Sequence, residues 1–249
     1  MSILNDKSIL NITGEILNFE KQKEALCNEV YFVNAKNGKF IIKVANGDIR
    51  QHELEKEYNI INKLKNEISL PQIYLYVKRL KYSYFVMQYI DGEKPKTFTN
   101  DILKKLAVTL RNIHSNIDKS NQFVDFDNLL VIAEQNMKNG RLDLDEFVRD
   151  DKFIEPNEVL LYLKSNKPQV QGCLLHGDYR PKNMILNNRD LFVLDWGLSF
   201  VGDPYYDLAI IKWYFSDKEF EKFLEYYGIV NLDKERLNYN EWLSAFLNV

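Results

Sequence analysis

The sequence predicts an α+β protein with two lobes, a β-rich N-terminal lobe over residues 1–90 and a mainly helical C-terminal lobe over residues 91–249. Runs of β-branched and aromatic residues, two of them joined by an Asn-Gly turn, predict the first lobe. Apolar residues that recur at helical spacing from Asn100 onward predict the second. Asp91-Gly92 and Pro95 interrupt both patterns, so the boundary is expected there.

Four strands and one helix are expected in the N-terminal lobe. Residues 30–33 and 39–44 flank Asn37-Gly38, a dipeptide that favours a tight hairpin turn. Residues 48–65 are expected to form an amphipathic helix, because apolar residues recur on one of its faces. Those residues are Leu54, Tyr58, Ile61 and Leu64. The other two expected strands are residues 73–77 and 84–90.

Helices and one further hairpin are expected in the C-terminal lobe. The first helix begins after an N-cap at Thr99 or Asn100. Its apolar stripe comprises Leu103, Leu106, Ala107, Leu110 and Ile113. Residues 139–151 are acidic and expected to be exposed, whereas residues 158–164 are expected to be helical. Strands at 184–186 and 191–194 form the hairpin, and aromatic-rich helices follow from residue 205.

Composition excludes several classes of protein. The chain has 249 residues, 45% of them hydrophobic, with a net charge of −3 and no basic cluster, so nucleic acid is not expected as a partner. No run approaches the roughly 18 apolar residues that span a bilayer, so no membrane association is expected. Cys27 and Cys173 are far apart and are expected to be free thiols. Met1–Lys7 does not resemble a signal peptide, which predicts a cytoplasmic protein.

The segment from His176 to Asn183 carries the strongest chemical signal. Asp178 and Asn183 lie just before the predicted hairpin, and Asp195-Trp196-Gly197 lies just after it. Phosphoryl transfer to a hydroxyl needs a carboxylate that accepts the proton, oxygen ligands for Mg²⁺, and positive charge near the transferred group. Asp178 is the candidate base and Arg180 the candidate cation. Asn183 and Asp195 are the candidate metal ligands, and Gly197 is expected to allow backbone freedom after Asp195.

Two residues of the N-terminal lobe are candidates for binding the phosphates of a nucleotide. Lys43 lies in the second strand of the Asn-Gly hairpin, where its ammonium is a candidate ligand of the α- and β-phosphates. Glu57, in the following helix, is expected to pair with Lys43 and fix its position. Glu53 lies one turn earlier and is the alternative partner.

Together these residues resemble the aminoglycoside phosphotransferase and choline kinase superfamily, whose members are small-molecule kinases with a protein-kinase-like fold. The segments that carry the resemblance are 27–31, Lys43, Glu57, 174–178, Asn183, 193–196 and 202–209. The resemblance implies the catalytic, metal and phosphate roles given above, with Asp178 as base. It also implies that Asp207 is buried and braces the catalytic loop, that His176 orients this loop, and that His114 packs in the core.

The same resemblance implies how the nucleotide is bound. Backbone groups of Gln88 and Ile90 would bind the base of ATP or GTP, and Cys27 and Asn28 would belong to the loop over the phosphates. That loop, residues 21–28, contains no glycine, so its amides are expected to approach phosphates less closely than in the superfamily. A nucleotide-binding regulator without catalysis is therefore an alternative to an active kinase.

The acceptor is expected to be a small molecule with a hydroxyl group, and a cationic one is an option. Acidic residues before the catalytic hairpin suit a polycation such as an aminoglycoside, which would link the enzyme to antibiotic resistance. Eight aromatic residues of the last helices offer a cage for a quaternary ammonium group, as choline would need. A metabolite kinase of the choline, ethanolamine or thiamine type is therefore the alternative. A protein kinase is disfavoured because the interval from Asp195 to Asp207 has no room for an activation loop. A monomer and a homodimer both remain open.

Overall fold

The computed structural model describes residues 3–22, 28–116, 123–149, 151–188 and 190–247. They group into two compact units. The first comprises Met1–Lys94 and Asn183–Leu198, and the second comprises Pro95–Lys182 and Ser199–Val249. Each unit therefore combines segments that are distant in the sequence.

The described residues form eight α-helices and eleven strands. The helices are α1 (Lys7–Thr13), α2 (Asp48–Leu64), α3 (Asn100–His114), α4 (Phe126–Lys138), α5 (Pro156–Ser165), α6 (Tyr205–Lys212), α7 (Asp217–Tyr227) and α8 (Lys234–Leu247). The strands are β1 (Ile16–Lys21), β2 (Glu29–Ala35), β3 (Gly38–Asn46), β4 (Ile73–Lys78), β5 (Tyr82–Gln88), β6 (Val148–Arg149), β7 (Lys152–Phe153), β8 (Cys173–Leu175), β9 (Met184–Asn187), β10 (Asp190–Val193) and β11 (Phe200–Gly202).

An antiparallel five-stranded sheet with the order β1-β2-β3-β5-β4 forms the centre of the first unit. The predicted hairpin is confirmed, since Ala35 pairs with Gly38 at the Asn-Gly turn and the register continues to Glu29 and Val44. One face of the sheet packs against α1, where Ile9 is fully buried. Helix α1 and strand β1 were not among the expected elements, because their few apolar residues follow neither period clearly.

Helix α2 confirms the predicted amphipathic helix and packs its apolar face against the sheet. Leu54, Ile61 and Leu64 are buried, and Tyr58 stacks on Tyr76 with ring centroids 4.5 Å apart. The expected strand at residues 84–90 begins earlier, at Tyr82, and ends at Gln88.

The hairpin of β9 and β10 belongs to the first unit. Met184 pairs with Val193 at its base, and the backbone groups of Glu93 and Leu186 exchange two hydrogen bonds of 3.0 and 2.8 Å. Gly92 lies against this contact, and a Cβ atom there would stand 2.3 Å from the Leu186 carbonyl oxygen. A residue without a side chain is therefore required at position 92.

Helices dominate the second unit, as predicted. Thr99 is the N-cap of α3, with its hydroxyl accepting a hydrogen bond from the Ile102 N–H. The short ladder of β8 and β11 lies directly before and directly after residues 176–199 in the sequence. Residues 139–149 are mostly exposed, as expected, but Phe147 is completely buried against Trp242 and Phe246. None of the helices among the described residues is long and apolar enough to cross a membrane.

Candidate active site

The first unit places one ammonium group between two carboxylates. Lys43 Nζ lies 2.6 Å from Glu57 Oε2 and 2.8 Å from Asp195 Oδ1. The side chains of Lys43 and Glu57 are 8% and 2% exposed, whereas that of Asp195 is 56% exposed. The helix therefore holds Lys43 from the buried side, and a ligand can reach the carboxylate of Asp195 from solvent.

The sequence explains why Glu57, and not Glu53, is the partner of Lys43. Glu57 lies three residues after Leu54 and four before Ile61, so it falls within the buried stripe of α2. Its carboxylate also accepts a hydrogen bond from the backbone of Trp196, next to Asp195. Glu53 lies outside the stripe and pairs with Arg50 at 2.9 Å.

Burial and charge act in opposite directions on this cluster. Burial alone lowers the pKa of Lys43, but the two carboxylates outweigh it and raise this pKa above its ordinary value. Burial raises the pKa of Glu57, and the Lys43 ammonium opposes that shift. Lys43 therefore stays protonated throughout the neutral range, as a phosphate ligand requires.

The hairpin brings Asn183 close to Asp195. The Leu194 N–H donates a 2.8 Å hydrogen bond to the Asn183 carbonyl oxygen, so the residue before Asp195 is fastened to Asn183. Asp195 has a left-handed backbone with φ of 63°, which is uncommon outside glycine. The backbone freedom expected at Gly197 is not needed, because Gly197 has no positive φ. A Cβ atom added at Gly197 would meet its nearest atoms only at 3.8 Å and beyond. The special conformation belongs to Asp195 itself.

In the second unit, Asp178 lies in the loop after β8 and is 6% exposed. Its Oδ1 forms an ion pair with Arg180 Nε, and its Oδ2 lies 3.8 Å from Lys182 Nζ. The candidate base thus lies between two cations. Arg180 was expected from the sequence as a ligand of the phosphate, whereas the contact of Lys182 with Asp178 was not.

Asp207 braces this loop, as the resemblance implied. It is completely buried, and its two oxygens accept hydrogen bonds from the backbone N–H groups of His176 (2.7 Å) and Gly177 (2.9 Å). The Asp178 N–H in turn donates to His176 Nδ1 at 3.1 Å. Gly177 has a φ of 80°, so glycine suits this turn. Residues 176–178 are therefore held by their backbone.

The structure describes three of the four residues that were expected to contact the base or to form part of the phosphate loop. The Gln88 N–H donates to the Gln72 carbonyl oxygen at 2.8 Å, so this N–H is already engaged by the protein. Ile90 follows β5 with a buried side chain. Asn28 precedes β2 directly, and its side-chain oxygen is buried. Cys27 lies outside the described residues.

An arginine–tryptophan cluster in the second unit was not foreseen. The Arg149 guanidinium lies over the rings of Trp242 and Trp213, at 4.2 and 5.0 Å from their centroids. Its Nη1 donates to the carbonyl oxygens of Glu146 and Val148, both at 2.8 Å. Burial raises the pKa of Glu146, Asp143 adds to the effect, and the charges of Arg180 and Arg149 oppose it. No sequence pattern links residues this far apart.

Comparisons with known proteins decide the family. Residues 25–242 match the phosphotransferase enzyme family, APH. The chain belongs to this family. An aminoglycoside 3'-phosphotransferase of Campylobacter jejuni is 23% identical over 227 residues, which cover 85% of this chain and 89% of that relative. The predicted enzyme class, a phosphotransferase with an alcohol group as acceptor, is thereby confirmed.

Solved structures confirm the protein-kinase-like fold. The crystal structure of an aminoglycoside-3'-phosphotransferase of type VIII superimposes with a TM-score of 0.73, at 20% identity and with 93% of each chain covered. The aminoglycoside phosphotransferase APH(3'')-Id from Streptomyces rimosus, in complex with ADP and streptomycin, gives a TM-score of 0.73 at 18% identity, with 94% of each chain covered. The chain therefore has the fold of these aminoglycoside phosphotransferases.

Proposed function

We propose that this protein transfers the γ-phosphate of ATP or GTP to a hydroxyl group of an aminoglycoside-like small molecule. The observation that carries the proposal is the buried pairing of Lys43 with Glu57, next to the exposed carboxylate of Asp195. A lysine fixed in this way on a strand suits the α- and β-phosphates of a nucleotide. The Gln88 carbonyl and the Ile90 N–H are the proposed contacts of the base, and Cys27 and Asn28 those of the phosphate loop.

Asn183 and Asp195 fit a magnesium ion. Mg²⁺ prefers oxygen ligands and is usually held by one or two carboxylates together with the phosphates of the substrate. Asp195 supplies an accessible carboxylate and Asn183 a carboxamide oxygen, and the backbone hydrogen bond between Leu194 and Asn183 keeps the two residues close. When bound, the ion would offset the negative charge of the phosphate oxygens.

Asp178 is the proposed general base. In the transfer, the hydroxyl oxygen of the acceptor forms a bond to the γ-phosphorus, while the bond from this phosphorus to the β–γ bridging oxygen breaks and the nucleoside diphosphate leaves. The hydroxyl proton passes to the carboxylate of Asp178. Arg180, which pairs with Asp178, is the proposed cation that offsets charge on the transferred phosphoryl group.

An aminoglycoside-type acceptor is favoured over choline because the protein's own cations occupy the aromatic rings. Arg149 lies over Trp213 and Trp242, Arg236 over Tyr205, and Lys222 over Tyr226. The tyrosines at 206 and 239 are 2% exposed and belong to the core. Six of the eight candidate rings are therefore either in contact with a cation of the protein or buried, which leaves too few for a cage around a quaternary ammonium group. The acidic side chains of Asp143 and Glu146 remain suitable for the ammonium groups of a polycation.

The test is an assay of nucleotide consumption with ATP and GTP against kanamycin, streptomycin, choline, ethanolamine and thiamine. Asp178→Asn should lower kcat about 10²–10⁴-fold, the usual range for loss of a general base, while binding of the magnesium–nucleotide complex persists. Asp195→Asn should weaken that binding as well. Asp190→Asn is the matched control, because Asp190 is an exposed carboxylate of the same hairpin.

Three outcomes would overturn the proposal. Near-normal turnover by Asp178→Asn would refute the assignment of the base. Tight nucleotide binding without turnover of any acceptor would favour the regulator, and turnover confined to choline or thiamine would favour the metabolite kinases.

A further inference from the structure

Arg149 closes an acidic turn, which comprises residues 143–149. A short 3₁₀ helix, Leu144–Phe147, forms the centre of this turn, and Arg149 follows it in β6. Arg149 Nη1 donates to the carbonyl oxygens of Glu146 and Val148, both at 2.8 Å. The acidic turn therefore cannot open without loss of two hydrogen bonds from a charged donor.

Two helices hold Arg149 from the other side. The guanidinium lies 4.2 Å from the ring centroid of Trp242 on α8 and 5.0 Å from that of Trp213, directly after α6. Phe147, within the acidic turn, is completely buried and stacks on Trp242 with ring centroids 6.2 Å apart. Burial lowers the pKa of Arg149, and the charge of Glu241 on α8 opposes that shift. The rings and this carboxylate anchor the acidic turn on α6 and α8.

The acidic turn places Glu146 in the same part of the second unit as the proposed catalytic groups. Burial raises the pKa of Glu146, and the charges of Arg180 and Arg149 oppose the shift. Burial also raises the pKa of Tyr206 on α6, and nearby carboxylates, Asp178 and Glu146 among them, add to the effect. Because the carboxylates of Asp178 and Glu146 both act on one buried hydroxyl group, they lie in one region of this unit.

We infer that Arg149 is a positioning residue for the acceptor, which holds the acidic turn so that the Glu146 carboxylate meets a cationic group of the acceptor. The inference rests on the proposed function, in which Glu146 binds an ammonium group and Asp178 takes the hydroxyl proton. Arg149 itself contacts neither the acceptor nor the nucleotide. Its effect on the reaction passes through the backbone of the acidic turn.

The positive charge of Arg149 gives the inference a distinctive sign. A cation next to Glu146 repels a polycation, so a purely electrostatic role predicts that removal of Arg149 lowers KM for the acceptor. A positioning role predicts the opposite, because a loosened turn no longer presents the Glu146 carboxylate. The direction of the change in KM therefore separates the two roles.

Steady-state kinetics with kanamycin or streptomycin, whichever the wild-type protein turns over, measures this direction. Arg149→Ala should raise KM for the acceptor about tenfold to hundredfold, the range for loss of one hydrogen bond to a charged group. Both kcat and KM for the nucleotide should change less than about twofold, because the lost contact is the same in the ground state and the transition state. Arg141→Ala is the matched control, since it removes an exposed arginine just before the turn, and it should not raise KM.

Two further variants separate the parts of the anchor. Arg149→Lys keeps a cation over the rings but loses the planar fork that reaches two carbonyl oxygens, so KM for the acceptor should rise by an intermediate factor. Trp213→Leu removes one ring, whose side of the cluster is exposed to solvent, and should raise KM about twofold to fivefold, the effect of one cation–π contact. If Arg149→Ala does not fold, Arg149→Lys carries the test, and a wild-type KM in that variant overturns the inference.

A double-mutant cycle shows whether Arg149 acts through the turn. Glu146→Gln removes the proposed ligand of the ammonium group. Arg149→Ala combined with Glu146→Gln should raise KM by much less than the product of the two single effects, because the second change disturbs a contact that is already lost. A general loss of structure would instead multiply the two effects.

Limited proteolysis supplies a readout that needs neither acceptor nor nucleotide. Glu-C protease cleaves after glutamate, and mass spectrometry identifies the fragments cut between Glu146 and Phe147. Arg149→Ala should be cut there about tenfold faster than the wild type, because each lost hydrogen bond lowers the free energy of local opening. Arg141→Ala should match the wild type. Val159→Ala, a buried substitution in the core cluster that contains Phe147, controls for lower global stability.

The two arms distinguish failure of this inference from failure of the proposed function. A KM for the acceptor that falls or stays constant in Arg149→Ala, multiplicative effects in the cycle, or unchanged cleavage after Glu146 would refute the positioning role and leave the proposed function intact. If the wild-type protein turns over neither antibiotic, the proposed function fails and the acceptor role of Arg149 fails with it. The cleavage rates then still decide whether Arg149 holds the acidic turn.

Discussion

Replacement of Glu57 by glutamine should destabilise the protein strongly, because it leaves the Lys43 ammonium without its buried counterion. At a separation of 2.6 Å and an effective dielectric constant of about 20, the gross attraction within the pair is about 6 kcal/mol. Desolvation of both groups offsets part of this attraction, and loss of one partner from a buried pair typically costs about 3–5 kcal/mol. Asp195 still contacts Lys43, so we expect the lower end, about 3 kcal/mol.

For a chain of 249 residues, this corresponds to a Tm lowered by about 6–12 °C. The assay is thermal and urea denaturation followed by far-UV circular dichroism and tryptophan fluorescence, since coincident transitions test whether the units unfold together. Glu53→Gln is the matched control. It removes a carboxylate of the same helix that pairs with Arg50 near the surface, and it should cost at most about 1 kcal/mol.

A double substitution separates the ion pair from simple loss of packing. Lys43→Met with Glu57→Leu replaces both charges by apolar groups, and it should be more stable than Glu57→Gln although activity is lost. The reasoning fails if Glu57→Gln is no more destabilising than Glu53→Gln. It fails equally if the double variant is less stable than the single one.

Two other substitutions examine features that the sequence did not reveal. Arg149→Ala should uncover one face of each of the two tryptophan rings, so that acrylamide quenches tryptophan fluorescence more strongly in the variant than in the wild type, and equal quenching would show that Arg149 does not cover them. Gly92→Ala should cost about 1–3 kcal/mol or more, because its Cβ would meet a backbone oxygen at 2.3 Å, whereas Gly197→Ala should change the free energy of unfolding by less than about 0.5 kcal/mol in urea denaturation. A tolerated Gly92→Ala would contradict the packing at that glycine.

Local sequence signals accounted for elements whose residues are close together. The Asn37-Gly38 turn set the register of β2 and β3, and the stripe of α2 placed Glu57 on its buried side. In contrast, α1 has seven residues and β1 is exposed along most of its length, so neither has a clear period of its own. Strand β1 exists because it pairs with β2, which is a tertiary contact.

The same difference between local and distant contacts applies to the candidate site. Asp178, Asn183 and Asp195 lie within one stretch of sequence and could be found together. The contacts of His114 with Asp207 and of Arg149 with Trp213 join residues more than 60 positions apart. Such pairs follow from helix packing, which a single sequence does not specify.

The net charges of two side-chain clusters explain why the sequence predicts the reaction class but not the acceptor. Lys43 with the carboxylates of Glu57 and Asp195 carries one excess negative charge, which suits the divalent cation of a nucleotide complex. Asp178 with Arg180 and Lys182 carries one excess positive charge, which suits the transferred phosphoryl group. In the proposed function, both clusters serve the phosphate groups rather than the acceptor. The acceptor contributes a single hydroxyl to that chemistry, so its identity must depend on residues outside the clusters, for which we propose Asp143 and Glu146.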